Sequence, residues 1–364
     1  MQRPLRLPDQ IGASPSGVQP GSLLRRLQED PREAIDWIAG DIGARRATSL
    51  GEAQAAAYID GRMRRAGLRV AADAFRAPAG VRWDGLLLAL LAVAGVALYY
   101  WLPLPSLALA GWNLATATMG WLQPGAMPLT RKRPSQNVIA TRALNGTPRW
   151  RVVLLAALDS PAASGRLARQ LTAGARPLLG RVIASALIVV LALLALLALP
   201  LELRRALWYA QMLPAAYLAI LAGLDLWVAR APTTPGAANH AGALAALLES
   251  AGALSALEQT ELWAVALGAT SSGAGLSDLL RRYPFDREKT LFVGIESIGG
   301  GRLSYVTREG LLPQRPADAQ LLRLVAGADA ADPLIDAEPR PYISEPTLAR
   351  ALPRDRRALT IVGL

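Results

Sequence analysis

The chain contains 364 residues, of which 52% are hydrophobic and 18% charged, and its formal net charge is +11 at pH 7. Its mean hydropathy of +0.26 is too high for an ordinary soluble protein, and this composition excludes an intrinsically disordered chain. The absence of cysteine excludes a disulfide scaffold, thiolate metal sites and a cysteine nucleophile. The single histidine, His240, excludes any centre that needs two imidazoles.

The basic residues are almost all arginines, and they cluster beside apolar runs. This arrangement is typical of the cytoplasmic side of membrane proteins. The interleaved aromatic and basic residues of a nucleic-acid platform are absent from the sequence, so we expect no nucleic-acid partner.

The chain opens with a tail and two predicted helices. Residues 1–21, rich in Pro, Gly and Ser, are expected to form a flexible tail. Residues 22–40 follow as a helix that is interrupted at Pro31. Ser49, with Glu52 three residues later, has the pattern of a capping box, which predicts that a second helix begins there.

Four long apolar runs predict membrane-spanning helices arranged as two hairpins. The runs comprise residues 85–102, 104–122, 182–201 and 206–228. A helix of about 20 apolar residues crosses the hydrocarbon core of a bilayer. We therefore expect a first hairpin over residues 83–123 and a second over residues 181–228, with four spans in total. Asp225 lies near the end of its run, where we expect it to reach the interface or pair with Arg230.

Both hairpins return the chain to the side of the membrane from which it came. The basic residues that flank the spans on that side are Arg82, Arg131, Lys132, Arg133, Arg176, Arg181 and Arg230. The opposite side carries only Arg204 and Arg205. By the positive-inside rule, we predict a multi-pass integral membrane protein whose soluble domain lies on the cytoplasmic side.

Outside the hairpins, residues 22–82, 124–180 and 229–364 are predicted to form one discontinuous α/β domain. The predicted strands are residues 68–75, 137–141, 151–158, 262–267, 291–295 and 359–362, with a helix over 241–257. Several strands are apolar on both faces, which is typical of a sheet that is covered by helices on both sides.

The order of seven segments resembles metallopeptidase family 28, the di-zinc aminopeptidases and their glutaminyl cyclase relatives. The segments are ATSLGEAQAAAYIDGRMRRAGLRV (47–70), QNVIATR (136–142), LLAALDSP (154–161), PGAANHAGALAALLE (235–249), 262–276, 292–301 and 343–363. All seven lie outside the hairpins, which fall at loops of that fold. The resemblance implies a mixed-sheet, zinc-aminopeptidase-like three-layer α/β domain with two inserted transmembrane hairpins.

The resemblance also implies a degenerate member that lacks the metal ligands of the family. The metal-binding and catalytic positions of the family correspond here to Ala157, Asp159, Asn239, Thr270, Ser271, Glu296 and Pro346. Thr270 replaces the general-base glutamate, and Glu296 is the one ligand position that keeps a carboxylate. A pair of zinc ions needs several imidazoles and carboxylates, together with an acid–base glutamate. We therefore expect no metal and no other cofactor.

The leading hypothesis is a membrane-embedded pseudopeptidase that acts by binding, with the lipid bilayer and other membrane protein subunits as partners. The alternative is a membrane-bound hydrolase with a rewired single-metal site of Asp159, His240 and Glu296. A local hydrogen bond at a helix start is the plainer interpretation of His240. A transporter subunit is a third hypothesis, but the spans contain almost no polar residues apart from Asp225 and Asn113.

Overall fold

The computed structural model describes residues 30–79, 83–122, 131–142, 146–164, 171–172, 175–197, 200–254, 257, 259–309, 314–332, 334–341, 347–349 and 351–363. Within these residues, an eight-stranded mixed sheet carries helices on its two faces, and four further helices form a separate bundle. The predicted tail, residues 1–21, and the first part of the helix predicted over 22–40 lie outside the described residues.

The strands of the described chain are numbered in sequence order. They are β1 Arg69–Ala79, β2 Arg131–Thr141, β3 Trp150–Ala157, β4 Thr260–Leu267, β5 Thr290–Glu296, β6 Leu303–Val306, β7 Arg308–Glu309, β8 Arg315–Pro316, β9 Glu338–Arg340 and β10 Arg357–Gly363. The large sheet has the order β1-β2-β4-β3-β5-β10-β6-β9, and β7 pairs with β8. Strands β4, β3, β5 and β10 run parallel, whereas the β1–β2, β2–β4 and β6–β10 pairs are antiparallel.

The helices are numbered in the same way. They are α1 Pro31–Ile35, α2 Leu50–Arg65, α3 Asp84–Tyr99, α4 Pro103–Leu122, α5 Ala175–Ala195, α6 Leu201–Arg230, α7 Gly242–Leu254, α8 Ala274–Arg282 and α9 Ala319–Ala331. Two π-helical turns, Asp36–Asp41 and Ala237–Ala241, precede longer elements, and a 3₁₀ turn, Thr270–Ser272, follows β4.

Successive residues of β3 show how the two layers of helices are built. Leu154 and Ala156 belong to the apolar core that contains side chains of α2, α7 and α9. Val153 and Leu155 belong to the core on the other face, together with apolar side chains of α8. Because alternate residues of a strand point to opposite faces, a strand between two cores is apolar throughout. The prediction of a sheet covered on both faces is confirmed.

The predicted helix start at Ser49 is confirmed, and another described helix starts at Pro31. Ser49 caps α2, since its hydroxyl accepts a hydrogen bond from the main-chain N–H of Glu52 at 3.4 Å. The carboxylate of Glu52 does not complete the reciprocal box but accepts from the N–H of Thr48 at 2.6 Å. Pro31 begins α1, with Asp30 as the N-cap, because a proline in the first turn lacks only an N–H that would be unpaired. The part of the predicted helix before Asp30 lies outside the described residues.

Several elements of the sheet domain were not predicted from the sequence. Strands β6 to β9 have two to four residues each, and α8 has nine. Elements this short contain too few periods of the apolar pattern to be recognised. Strand β2 also begins earlier than predicted, because residues 131–136 pair with β1.

Helices α3 to α6 form a four-helix bundle that is inserted into the sheet domain at two places. The pair α3–α4 lies between β1 and β2, and the pair α5–α6 lies between β3 and α7. Helix α3 packs against α4 and α6, and α5 packs against the same two helices, so the four surround one interior. The prediction that β1 and β2 belong to one sheet, with the chain returning through a hairpin, is confirmed by their pairing.

The interior of the bundle contains polar contacts between helices. The side-chain amide of Asn113 donates to the carbonyl of Leu88, and its oxygen accepts from the hydroxyl of Ser185, each at 2.5 Å. Asn113 and Ser185 are buried, so α3, α4 and α5 are joined by one small polar network. These bonds offset the cost of burying the polar groups, since leaving one unpaired costs about 1–3 kcal/mol.

By length and hydropathy alone, two described helical segments are suited to crossing a membrane, Pro177–Ala195 and Leu201–Arg230. Asp84–Tyr99 is apolar but shorter, with 16 residues. Helix α4 has 20 residues but includes Asn113, Thr116 and Thr118, which lower its hydropathy. These criteria support two of the four predicted spans, and the other two stay a prediction.

Candidate functional site

Five of the positions that the resemblance assigns to metal binding and catalysis lie along one edge of the sheet. Ala157 is the last residue of β3, and Asp159 follows it by two residues. Glu296 is the last residue of β5, and the turn Thr270–Ser272 follows β4. Because β3, β4 and β5 are parallel neighbours, their carboxyl ends meet at this edge, where ligands bind in open α/β sheets.

The carboxylate of Asp159 is buried and is bonded on both oxygens to the turn after β4. Its Oδ1 accepts from the N–H of Thr270 at 2.9 Å and from the hydroxyl of the same residue at 2.6 Å. Its Oδ2 accepts from the N–H of Ser271 at 3.2 Å. Asp159 therefore holds in place the turn that carries Thr270 and Ser271.

His240 lies in the π-helical turn Ala237–Ala241, which adjoins this edge. Its Nδ1 donates to the main-chain carbonyl of Asp159. The imidazole is largely surrounded by protein, and burial lowers the pKa of His240, which favours the neutral ring. This contact is the local hydrogen bond of the plainer interpretation, although its acceptor lies on a different element.

The remaining predicted positions do not join Asp159 in one cluster. Glu296 is half-buried and accepts a hydrogen bond from the N–H of Leu348 at 2.5 Å. Asn239 is half-buried in the π-helical turn, one residue before His240. Pro346 lies outside the described residues.

These contacts do not fit a zinc centre. Within the part of the chain that the structure describes, no group of three His, Asp or Glu side chains is placed to hold a metal ion. The oxygens of Asp159 accept from Thr270 and Ser271, and Glu296 accepts from a different segment. The geometry therefore does not bring Asp159, His240 and Glu296 together as metal ligands.

Glu52 is a second buried carboxylate beside this site, and sequence reasoning assigned it only to a helix cap. Its Oε1 accepts from the N–H of Ala269 at 2.6 Å, and the hydroxyl of Ser135 lies 3.2 Å from both carboxylate oxygens. Burial, together with the negative charge of Asp159, raises the pKa of Glu52 to about 7. Ala269 has φ +47°, a left-handed conformation that is unfavourable for a residue with a Cβ, and the bond from Glu52 helps to hold it.

A signal for the burial of Glu52 was present in the sequence. Glu52 precedes Ala55, Ala56 and Ile59 at spacings of three, four and seven residues, and all three are fully buried. These spacings define one face of a helix. Because Glu52 occupies that face, the helical period places its carboxylate toward the core.

Arg45 supplies a buried positive charge near the same site. Its Nη1 donates to three main-chain carbonyls, those of Ile38, Gly43 and Pro235, at distances of 2.7 to 2.9 Å. Burial lowers the pKa of Arg45 to about 10, and the attraction of Asp159 opposes this shift. The sequence contained no pattern that separated Arg45 from the many arginines on the surface.

Comparison with known proteins shows the fold and little more. No protein-family model and no curated protein matches the chain. An aminopeptidase from Aneurinibacillus sp. strain AM-1 superposes with a TM-score of 0.52 at 12% identity, over 95% of this chain and 87% of that chain. The chain has an aminopeptidase-like fold.

Other solved structures are similar at a lower level. The zinc aminopeptidase BSAP from Bacillus subtilis has a TM-score of 0.49 at 11% identity, over 93% of this chain and 84% of that one. A glutaminyl cyclase from Bacteroides thetaiotaomicron has a TM-score of 0.44 at 11% identity, over 94% and 84%. Identities this low carry no conclusion about activity.

Proposed function

We propose that this protein is a membrane-embedded pseudopeptidase, in which an aminopeptidase-like domain acts by binding and the α3–α6 bundle anchors it. The observation that carries the proposal is the bonding of Asp159, whose two carboxylate oxygens accept from Thr270 and Ser271. A carboxylate in this state stabilises a loop of its own chain. It is not directed toward an imidazole that binds a metal ion.

The residues around Asp159 support the loss of hydrolysis. Ala157 has no donor atom for a metal, and Thr270 uses its hydroxyl proton in the bond to Asp159. Zinc-dependent hydrolysis needs a base that accepts a proton from water near neutral pH, and a threonine hydroxyl does not act in this way. With these side chains, we expect the domain to retain the aminopeptidase-like fold and to lack zinc-dependent hydrolysis.

The surface of the bundle supports membrane anchoring. Most of the large apolar side chains that are exposed in the described residues lie on α3 to α6 or on the turns that join them. They include Leu90, Trp101, Leu104, Trp112, Ile183, Leu187, Val190, Leu213, Ile220 and Trp227. In water, so large an apolar surface would drive association, whereas the acyl chains of a bilayer would cover it.

The spacing of charges along α6 is consistent with a full crossing. Residues 206–224 contain no Asp, Glu, Lys, Arg or His. At 1.5 Å per residue they extend about 30 Å, which is the thickness of a hydrocarbon core. Basic residues are more numerous at the end of the bundle next to the sheet domain, so the positive-inside rule favours a cytoplasmic location for that domain. The binding partners that we propose are other membrane protein subunits.

Elemental analysis and an aminopeptidase assay test this function together. Purified full-length protein is compared with a His240→Ala/Glu296→Ala variant, both in detergent and with their folding checked by circular dichroism. We expect no stoichiometric metal in either protein and no hydrolysis of aminoacyl-amide substrates above the buffer rate. About one metal ion per wild-type chain, lost in the variant, would instead support the single-metal hydrolase.

A further inference from the structure

The antiparallel pair β1–β2 extends beyond the sheet toward the helical bundle. Strand β1 pairs with β2 along all eleven of its residues, but β2 pairs with β4 only through Val138–Thr141. Residues 73–79 and 131–137 therefore continue past the sheet as a two-stranded ribbon. Only residues 80–83 separate the end of β1 from α3, so the end of the ribbon lies next to the end of the bundle.

The end of this ribbon is strongly basic and carries no acidic residue. Arg131, Lys132 and Arg133 are exposed at the start of β2. Their cross-strand neighbours are Ala79, Pro78 and Ala77, which cannot neutralise them. The ion pairs formed within the described residues include none of these three cations.

The same end of the bundle carries further basic residues. Arg46 donates from Nη2 to the carbonyl of Ala229, in the last turn of α6, and the neighbouring Arg230 is exposed. Arg181 differs from them, because it pairs with Asp225 and is largely buried. We define the basic collar as the exposed cations at this end, namely Arg46, Arg76, Arg131, Lys132, Arg133 and Arg230.

We propose that the basic collar binds the phosphate groups of anionic phospholipids in the leaflet that faces the sheet domain. This inference rests on the membrane anchoring in the proposed function. If the bundle crosses the bilayer, the collar lies at the level of the headgroups. Guanidinium groups match phosphate oxygens in charge and geometry, and these groups have no competing carboxylate in the described chain. At the opposite end of α6, Arg205 lies three residues after Glu202, a spacing at which opposite charges on a helix attract, so the acidic residue partly offsets the positive charge there.

The test measures lipid binding by the full-length protein. Delipidated protein in an uncharged detergent is titrated with short-chain phosphatidylglycerol, phosphatidylcholine or inorganic phosphate, and bound molecules are counted by native mass spectrometry. The variant is Arg131→Gln/Lys132→Gln/Arg133→Gln. The matched control is Arg204→Gln/Arg205→Gln, which removes cations from the other end of the bundle.

We expect wild type to prefer phosphatidylglycerol over phosphatidylcholine. The triple variant should lose about a hundredfold in affinity for phosphatidylglycerol, since each basic residue near an anionic surface contributes about 1 kcal/mol. Equal affinity for the two lipids, an unchanged triple variant, or an equal loss in the control would overturn the proposal. Binding of inorganic phosphate as strong as that of the lipid would assign the collar to a free anion instead.

Extraction of membranes with alkaline carbonate separates this proposal from the proposed function. Wild type and the triple variant should both stay in the membrane pellet, because their helices are unchanged. If wild type is washed off the membrane, both the anchoring and the collar proposal fail. If it stays and shows no preference for the anionic lipid, the collar proposal alone fails.

Discussion

At the residue scale, the buried charges around the carboxyl edge of the sheet have structural partners. Asp159 accepts three hydrogen bonds from the turn after β4, and Glu52 accepts from the N–H groups of Thr48 and Ala269. Each carboxylate thus joins segments that are distant in the sequence. Removing either one should therefore change stability before it changes any binding function.

The substitution Asp159→Asn tests this role. The amide keeps one acceptor oxygen but places an NH₂ group against an N–H donor, so we expect a loss of about 2–3 kcal/mol in the free energy of unfolding. The measurement is denaturation of the protein in detergent, followed by circular dichroism. Ser271→Ala is the control, because Ser271 bonds to Asp159 through its main-chain N–H and its side chain is exposed. This substitution should change the free energy of unfolding by less than about 0.5 kcal/mol. Equal effects of the two substitutions would contradict this role.

The raised pKa of Glu52 predicts how stability depends on pH. The pKa rises from 4.5 in the unfolded chain to about 7 in the fold, mainly through burial. The folded state therefore binds the proton of the Glu52 carboxyl more tightly than the unfolded chain does. The stabilisation from this protonation is complete below pH 4.5. The effect decreases as pH rises through 7, by a total of up to about 3 kcal/mol.

The Glu52→Gln variant provides the comparison, because its side chain does not titrate. Between pH 5 and pH 8, wild type should lose more stability than the variant when both are unfolded in the same detergent. Parallel pH profiles for the two proteins would show that Glu52 does not titrate with a raised pKa.

At the scale of elements, close approaches between main chains limit which residues a helix accepts. Gly275, in the first turn of α8, lies against the main chain that follows β4. A Cβ added to Gly275 would lie 2.1 Å from the carbonyl oxygen of Gly268. A Cβ added to Gly327 in α9 would have no neighbouring atom of another segment within 4 Å. Both glycines lie in helices, but only Gly275 is in close contact with the main chain of another segment.

We therefore expect opposite effects from the same substitution at these two glycines. Gly275→Ala should destabilise the protein by about 2–3 kcal/mol, because a main-chain atom must move. Gly327→Ala should stabilise it by up to about 1 kcal/mol, since alanine favours a helix. Thermal unfolding of both variants in parallel measures the difference, and a neutral Gly275→Ala would contradict this packing.

The elements differ in how far the sequence predicted them. The strand β3 and the helix α2 were recognisable, because one has a continuous apolar run and the other a cap with a period of 3.6 residues. The burial of Glu52 followed from the same period but was not inferred. The bonds of Asp159 to Thr270 and Ser271 join residues more than a hundred positions apart, and no local pattern encodes them.

At the scale of the whole molecule, the bundle and the sheet domain are joined at two connections. One is the β1–β2 ribbon, and the other is the pair of chain segments around α5 and α6, where Ala162 pairs with Thr233. Both connections leave the bundle at the same end. A protein anchored by this bundle would hold its domain on one side of the membrane only.

The side on which the domain lies is testable with single cysteines, because the chain has none of its own. Arg204→Cys places a thiol at the far end of the bundle, and Arg323→Cys places one on the exposed side of α9. A membrane-impermeant maleimide should label Arg204→Cys in intact cells and Arg323→Cys only after permeabilisation. The reverse pattern would place the domain outside the cell.

The sequence by itself determined the class of domain, the two inserted hairpins and the exclusion of two-histidine metal chemistry. These follow from composition, from apolar periodicity and from residue counts, which are local properties of the chain. Only the tertiary structure decided that Asp159 bonds to the turn after β4, that Glu52 and Arg45 are buried beside it, and that the cations of the β1–β2 ribbon face uncharged residues across the strand pair. These features depend on contacts between distant segments, whose energies are set by burial and geometry after the chain has folded.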